Sequence, residues 1–233
     1  MDLPSLIREV CQRQGSCEIL DLGSGVPHTG GSYGSFRHTA AARADGLLVS
    51  LTAVDVIWPP MSRFLVGESY FTPDYDFPGV AAALNGQGVE CVGKDFNAFI
   101  RKSVERVLLS VAEGTPRPEG AQPLPKKWDI ILSRDTSLSL AFIEATPNAT
   151  ATDLRVLMNA DGYILLDAPG PTVDYGSSFP SNVLSAALKS KIIFAEEWCR
   201  LLACRAIVSI HQRYVVLQAT QQDGRFIETV VRQ

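Results

Sequence analysis

Apolar residues at positions 3, 6, 7 and 10 fall one helical turn apart, so the spacing predicts an amphipathic helix over 3–13, ended by Gly15. A short apolar run, Cys17-Glu18-Ile19-Leu20-Asp21-Leu22, follows as a strand and leads straight into Gly23-Ser24-Gly25. Residues 26–36 are rich in Gly and Ser and read as loop. A short helix over 36–45 is closed by Gly46 as a left-handed cap, and the β-branched run 47–57 is a second strand. Residues 58–79 break the rhythm with four prolines and six aromatics, an ordered excursion without a period.

The pattern then resumes. A brief helix at 80–86 precedes a third strand at 89–92. Phe99, Ile100, Val104, Val107, Leu108 and Val111 set a helical period over 98–113. Residues 114–127 carry four prolines and two glycines and read as a surface loop, not a domain boundary. A fourth strand spans 128–133, and a helix over 152–159 closed by Gly162 leads to a fifth strand at 163–167. A long helix over 183–204 is expected to break near 189–191. Strands at 205–210 and 214–220 are separated by three residues, a connection that only antiparallel pairing allows. Residues 226–231 extend or follow that hairpin.

Repeated βα units mean a mostly parallel sheet with helices on both faces. The expectation is one α/β domain over 1–233: a three-layer αβα sandwich whose seven-stranded, mostly parallel sheet ends in a C-terminal antiparallel hairpin.

Composition narrows the function classes. With 21 Lys+Arg against 25 Asp+Glu the net charge is -4, which argues against broad electrostatic binding to nucleic acid or anionic membrane while leaving a local basic groove open. No run approaches the 18 or more apolar residues of a membrane span, and residues 1–14 do not read as a signal peptide. The five cysteines are odd in number, scattered and without a C-x-x-C pair, so reduced thiols and a cytoplasmic location are expected. With only His28, His38 and His211 to add, no metal-ligand spacing arises, and no metal is expected.

The chemistry concentrates at strand ends. Ligands of open parallel sheets bind beyond the carboxyl ends of the strands. There stand Asp21 with Gly23-Ser24-Gly25, then Asp55, then Asp95-Phe96, then Ser133-Arg134-Asp135. A dinucleotide turn needs G-x-G-x-x-G, but His28 occupies the third glycine position. A rim of carboxylates also repels a pyrophosphate. It suits a ligand with a ribose diol and positive charge, the features of S-adenosylmethionine.

Asp21-Leu22-Gly23-Ser24-Gly25 resembles the first motif of the class I S-adenosylmethionine-dependent methyltransferases, D/E-x-G-x-G after the first strand. Asp55, Asp95-Phe96, the strand ending at Ser133 and the run 157–167 follow in that family's order, and the terminal hairpin is similar too. The resemblance covers roughly residues 15–220. It implies a Rossmann-like fold, methyl transfer, and cofactor contacts from Asp21, Gly23, Ser24 and Gly25. It further implies that Asp55 holds the ribose, Asp95 and Phe96 meet the adenine, and Ser133 lies beside the methyl group. Asp135, after the fourth strand, and His38 are the candidate catalytic residues, His38 as a base for the acceptor proton.

One departure from the family is length: 29 residues separate Gly25 from Asp55, about twice the usual number. Gly30-Gly31-Ser32-Tyr33 is similar to the G-G-W-S turn of ribose 2′-O RNA methyltransferases. Their Lys-Asp-Lys-Glu tetrad is absent, because no lysine precedes Lys94 and Asp167 stands at the fifth-strand lysine position. The acceptor is left open between a small molecule and RNA or an RNA cap. A non-catalytic subunit of the same fold is the alternative, and a protein partner or a second copy of the chain is left open.

Overall fold

A computed structural model describes residues 1–27, 31–60, 76–112, 126–133, 153–168, 181–209, 214–219 and 227–230. In chain order the elements are α1 (Leu3–Gln14), β1 (Ser16–Leu22), α2 (Ser35–Ala44), β2 (Leu48–Asp55), α3 (Phe77–Asn85), β3 (Val89–Gly93), α4 (Phe96–Ala112), β4 (Trp128–Ser133), β5 (Met158–Asp167), α5 (Ser181–Leu202), β6 (Cys204–Ser209), β7 (Tyr214–Ala219) and β8 (Ile227–Val230). A single 3-10 turn, Ser32–Gly34, precedes α2.

The sheet runs β3-β2-β1-β4-β5-β7-β6-β8. The first five strands in that order are parallel, and β7 pairs antiparallel with both β5 and β6. The expected seven strands and terminal hairpin are present. The run at 226–231 contributes an eighth strand, β8, parallel to β6 at the sheet edge.

Strands buried on both faces read as continuous apolar runs, and alternate residues serve opposite cores. In β1, Leu20 and Leu22 pack with α4 and α5 residues such as Ile100, Val104, Phe194 and Trp198. Cys17 and Ile19 pack on the other face with Leu6, Ile7 and Val10 of α1 and Phe36 of α2. Three layers result. The first helix is set by local chemistry: Asp2 accepts the Ser5 N–H at 3.0 Å as N-cap, and Gly15, at φ 83°, closes the other end. Among the described residues no helix is long and apolar enough to cross a membrane.

Two elements differ from expectation. The predicted helix over 152–159 stops at 157, and β5 begins at Met158 instead of residue 163. Met158 pairs with Trp128, then the register jumps so that Tyr163 pairs with Ile130. The extra residues loop out at Asp161, which takes φ 57°. Gly162 is therefore part of a bulge rather than a helix cap. A Cβ there would lie 3.0 Å from the Asp129 carbonyl oxygen, and the Asp129 carboxylate accepts Asn159 Nδ2 at 2.7 Å, which holds the bulge on β4. The long helix α5 is unbroken through 189–191. Lys191 is buried in it, its stem lying along the core and its Nζ donating to the Ser209 carbonyl oxygen at 3.4 Å, so the charge is carried inside the helix period instead of interrupting it.

Strand order reverses between β1 and β4, because β1 connects outward through β2 to β3 and the chain then returns to β1's other side. That reversal is the switch point where open α/β sheets hold ligands.

Candidate functional site

The crevice is bounded by the ends of β1 and β4, where Leu22 pairs with Ser133. On leaving β1 the chain turns at Gly23 (φ 73°) and Gly25 (φ 64°), a left-handed conformation that a side chain would strain. The turn is tied to the end of β2. Gly23 and Ser24 N–H groups donate to the Val54 carbonyl oxygen at 2.9 and 3.3 Å, and Gly25 N–H donates to Asp55 Oδ2 at 2.9 Å. Asp55 Oδ1 accepts the Ile57 N–H at 3.2 Å.

Asp21 is fully buried beside this turn. Its Oδ2 accepts the Ser32 N–H at 3.0 Å, from the 3-10 turn before α2, and the Ser35 hydroxyl at 2.6 Å, from the first residue of α2. Its Oδ1 has no hydrogen-bond partner among the described residues. Burial pushes the carboxyl up to about 6, the two serines pull it back in part, and the Asp55 charge adds to the rise. Buried polar atoms without partners are rare, so each calls for a missing group such as a water or a ligand. Ser32 Oγ, Thr39 Oγ1 and Ser133 Oγ share this property, and all four residues belong to the strand ends and the adjoining α2 segment.

The remaining expected residues are spread along the rim. Asp95 caps α4: its Oδ1 accepts the Ala98 N–H at 3.0 Å, and the residue is exposed. Phe96 opens α4, half-buried against the core. His38 lies one turn into α2, with Arg37 Nη2 3.4 Å from its Nε2. Burial and the Arg37 charge lower its pKa, with Asp2 opposing, so the ring is neutral at physiological pH. Its neighbours are Gly34, Arg37 and Asp2. Asp135, with Arg134 and His28, lies outside the described residues, as do 61–75 of the aromatic excursion and 169–180.

Three residues join the site that the pattern did not single out for it. Trp58, the start of the excursion, is wholly buried and donates from Nε1 to Ser24 Oγ at 3.2 Å, while its ring packs near Phe36 and Phe77. It braces the glycine turn through Ser24. Tyr33, within the long segment after Gly25, takes φ 54° and sends its hydroxyl to the Ser133 carbonyl oxygen at 2.5 Å and Asp167 Oδ1 at 3.0 Å. Asp167 ends β5, so the segment is laced across the neighbouring pair of strand ends.

No family model and no curated protein matches the sequence. Solved structures of similar shape do exist. A putative S-adenosylmethionine-dependent methyltransferase from Streptococcus mutans is similar over 92% of this chain and 47% of its own, at 13% identity and a TM-score of 0.40. The N-methyltransferase NodS from Bradyrhizobium japonicum WM9 is similar over 92% of this chain and 90% of its own, at 9% identity and a TM-score of 0.38. A Burkholderia thailandensis 1,6-didemethyltoxoflavin-N1-methyltransferase is similar over 93% of this chain and 77% of its own, at 15% identity and a TM-score of 0.40. The chain thus spans about half the length of the first of these, 47%. Likeness at this level adds nothing to the strand order, which carries the fold by itself. The fold is a Rossmann-like three-layer sandwich, a mostly parallel sheet ending in an antiparallel hairpin.

Proposed function

We propose that the protein is an S-adenosylmethionine-dependent methyltransferase. The observation that carries the reading is the state of the crevice's hydrogen-bonding groups. A turn built for pyrophosphate aims free N–H groups and a helix N-terminus at the ligand. Here the N–H groups of Gly23, Ser24 and Gly25 are all given to Val54 and Asp55, and the Ser32 N–H and the Ser35 hydroxyl are given to the Asp21 carboxylate. Beside them stands an acceptor: Asp21 Oδ1, buried and without a partner among the described residues. A buried carboxylate is stable as an anion only with a cation or donors, so the crevice fits an ammonium group and not a phosphate.

The residues present fit the cofactor. Asp21 would hold the ammonium group beside the turn. Asp55, whose two oxygens each hold one backbone N–H, keeps further lone pairs for the ribose hydroxyls. Asp95 and Phe96 would border the adenine, with the Asp95 cap fixing the carboxylate in place. Ser133 stands across the crevice at the end of β4. Bound S-adenosylmethionine supplies an electrophilic methyl group on a sulfonium, and its leaving group is a neutral thioether. Transfer of that kind depends first on alignment of the two reactants, which the β1 turn and the end of β4 would supply by holding the cofactor between them. His38, held beside Arg37 and Gly34, is retained only as a candidate base for the acceptor proton. Asp135 is retained as an acceptor-side candidate on its place after β4. The acceptor is a small molecule or RNA, and a cytoplasmic setting suits five free cysteines, four of them buried.

Calorimetric titration tests the reading. S-adenosylhomocysteine is expected to bind the folded chain with a micromolar dissociation constant, about 8 kcal/mol of affinity, and NAD is expected not to bind. Tight NAD binding, or no S-adenosylhomocysteine binding to folded protein, overturns it; the latter result leaves the non-catalytic subunit.

A further inference from the structure

We infer that residues 31–35 form a gate over the cofactor crevice, latched by the Tyr33 hydroxyl, which opens to admit or release the ligand and recloses over it. This rests on the methyltransferase reading and adds to it the control of entry.

The segment crosses the rim strand by strand. In the sheet, β1, β4, β5 and β7 lie side by side in that order. The Ser32 N–H and the Ser35 hydroxyl hold Asp21 Oδ2 of β1. The Tyr33 hydroxyl lies 2.5 Å from the Ser133 carbonyl oxygen at the end of β4 and 3.0 Å from Asp167 Oδ1 at the end of β5. Its ring packs on that of Tyr214 at the start of β7, with centroids 4.7 Å apart. One short segment thus laces four neighbouring strands, across the point where strand order reverses.

Closed in this way it seals the groups a ligand needs. Asp21 and Ser35 are 0% exposed, and Ser32 and Ser133 are 1% exposed. Nothing reaches the Asp21 carboxylate unless part of its surroundings moves. The strands are fixed in the sheet and α2 is anchored by its buried Phe36 and Ala42, whereas the one large side chain of the turn, Tyr33, is only partly buried. Segments held by few buried contacts open at lower free energy than the core around them. The backbone suits a hinge as well. Gly31 and Gly34, at φ 72° and 78°, bracket Tyr33, which sits at φ 54° in left-handed backbone that persists only while its surroundings impose it.

Closure is also compatible with a bound ligand. The segment uses Asp21 Oδ2, while Oδ1 has no partner among the described residues, so an ammonium group can be held with the latch shut. A gate that closes equally well with and without ligand slows entry and exit alike. It shifts no binding equilibrium, because the ligand does not favour one of its two states.

Rapid-mixing kinetics of S-adenosylhomocysteine with the wild type and Tyr33→Phe, which keeps the ring and deletes the hydroxyl, test the gate. Association and dissociation rates should both rise about tenfold in the variant, the worth of one hydrogen bond, with the dissociation constant within about threefold. Native-state hydrogen exchange at the Ser32 amide gives a readout without ligand. Measured against the core amides of Ile19 and Ile131, that amide should exchange faster in the wild type and about tenfold faster again in Tyr33→Phe. Tyr214→Leu removes the ring contact, should act in the same direction, and decides alone if Tyr33→Phe does not fold. A weaker affinity with an unchanged association rate, or a Ser32 amide no faster relative to the core in the variant, overturns the inference. A wild type that binds no S-adenosylhomocysteine, alongside a Ser32 amide that responds as expected, contradicts the cofactor reading and supports the latch.

Discussion

Replacing Asp21 by Asn should make the protein more stable and less able to bind its cofactor. The carboxyl rises from its ordinary 3.8 to about 6 on folding, chiefly through burial. Its proton is therefore held more tightly in the folded chain than in the unfolded one. Below 3.8 both states carry the proton and the group is neutral to stability. Between the two values the unfolded state ionises first and stability falls as pH rises. Above about 6 both states are ionised and the full cost remains, about 3 kcal/mol at pH 7.5. Asparagine keeps the shape, and its carbonyl oxygen can still accept from Ser32 and Ser35. The gain for Asp21→Asn should thus approach 3 kcal/mol at pH 7.5, about 6–10 °C for a domain of this size, and shrink toward zero at pH 3. The same change removes the acceptor offered to an ammonium group and should weaken S-adenosylhomocysteine at least 30-fold, the worth of about 2 kcal/mol for a buried charge-assisted contact. Denaturant melts at pH 7.5 and pH 5, with calorimetry on both proteins, read the two effects. An Asn variant that is less stable at pH 7.5, or that binds the cofactor product as well as wild type, would refute the reasoning.

Two further substitutions test the packing around the site. A Cβ at Gly93 would lie 2.1 Å from the Trp58 carbonyl oxygen and 2.4 Å from that of Pro59, backbone atoms that cannot rotate away, so Gly93→Ala should lower the melting temperature by about 6–10 °C, from about 3 kcal/mol of overpacking. A shift under 1 °C by circular dichroism would show that the Trp58 segment yields freely. Ala203 joins α5 to β6 at φ 50°, and Ala203→Gly should raise the urea midpoint by the worth of about 0.5–1 kcal/mol, relief of backbone strain less the added unfolded-state entropy. A lowered midpoint would contradict it.

The parallel half of the sheet was legible because its strands are short apolar runs that end at glycine turns, a signal contained within each segment. The bulge in β5 was not. Leu154, Leu157 and Met158 keep a helical spacing, and what makes Met158 a strand residue is pairing with Trp128, thirty positions earlier in the chain. Asp21 stood out from its motif, but its donors did not, since nothing local says that Ser32 and Ser35 fold back onto residue 21. Asp95 shows the reverse. An aspartate just ahead of an apolar helical period is an N-cap signal, and the side chain does cap α4. Tyr33 was hidden for a third reason: a tyrosine in left-handed backbone follows no propensity, and only the contacts to β4, β5 and Tyr214 account for it.

The most direct measurement is a crystal structure of the chain with S-adenosylhomocysteine. The account predicts the ligand's amino group on Asp21 Oδ1, its ribose on Asp55, and its sulfur between the Gly23–Gly25 turn and Ser133. A ligand bound elsewhere, or in the crevice with Asp21 Oδ1 still without a partner, would contradict it.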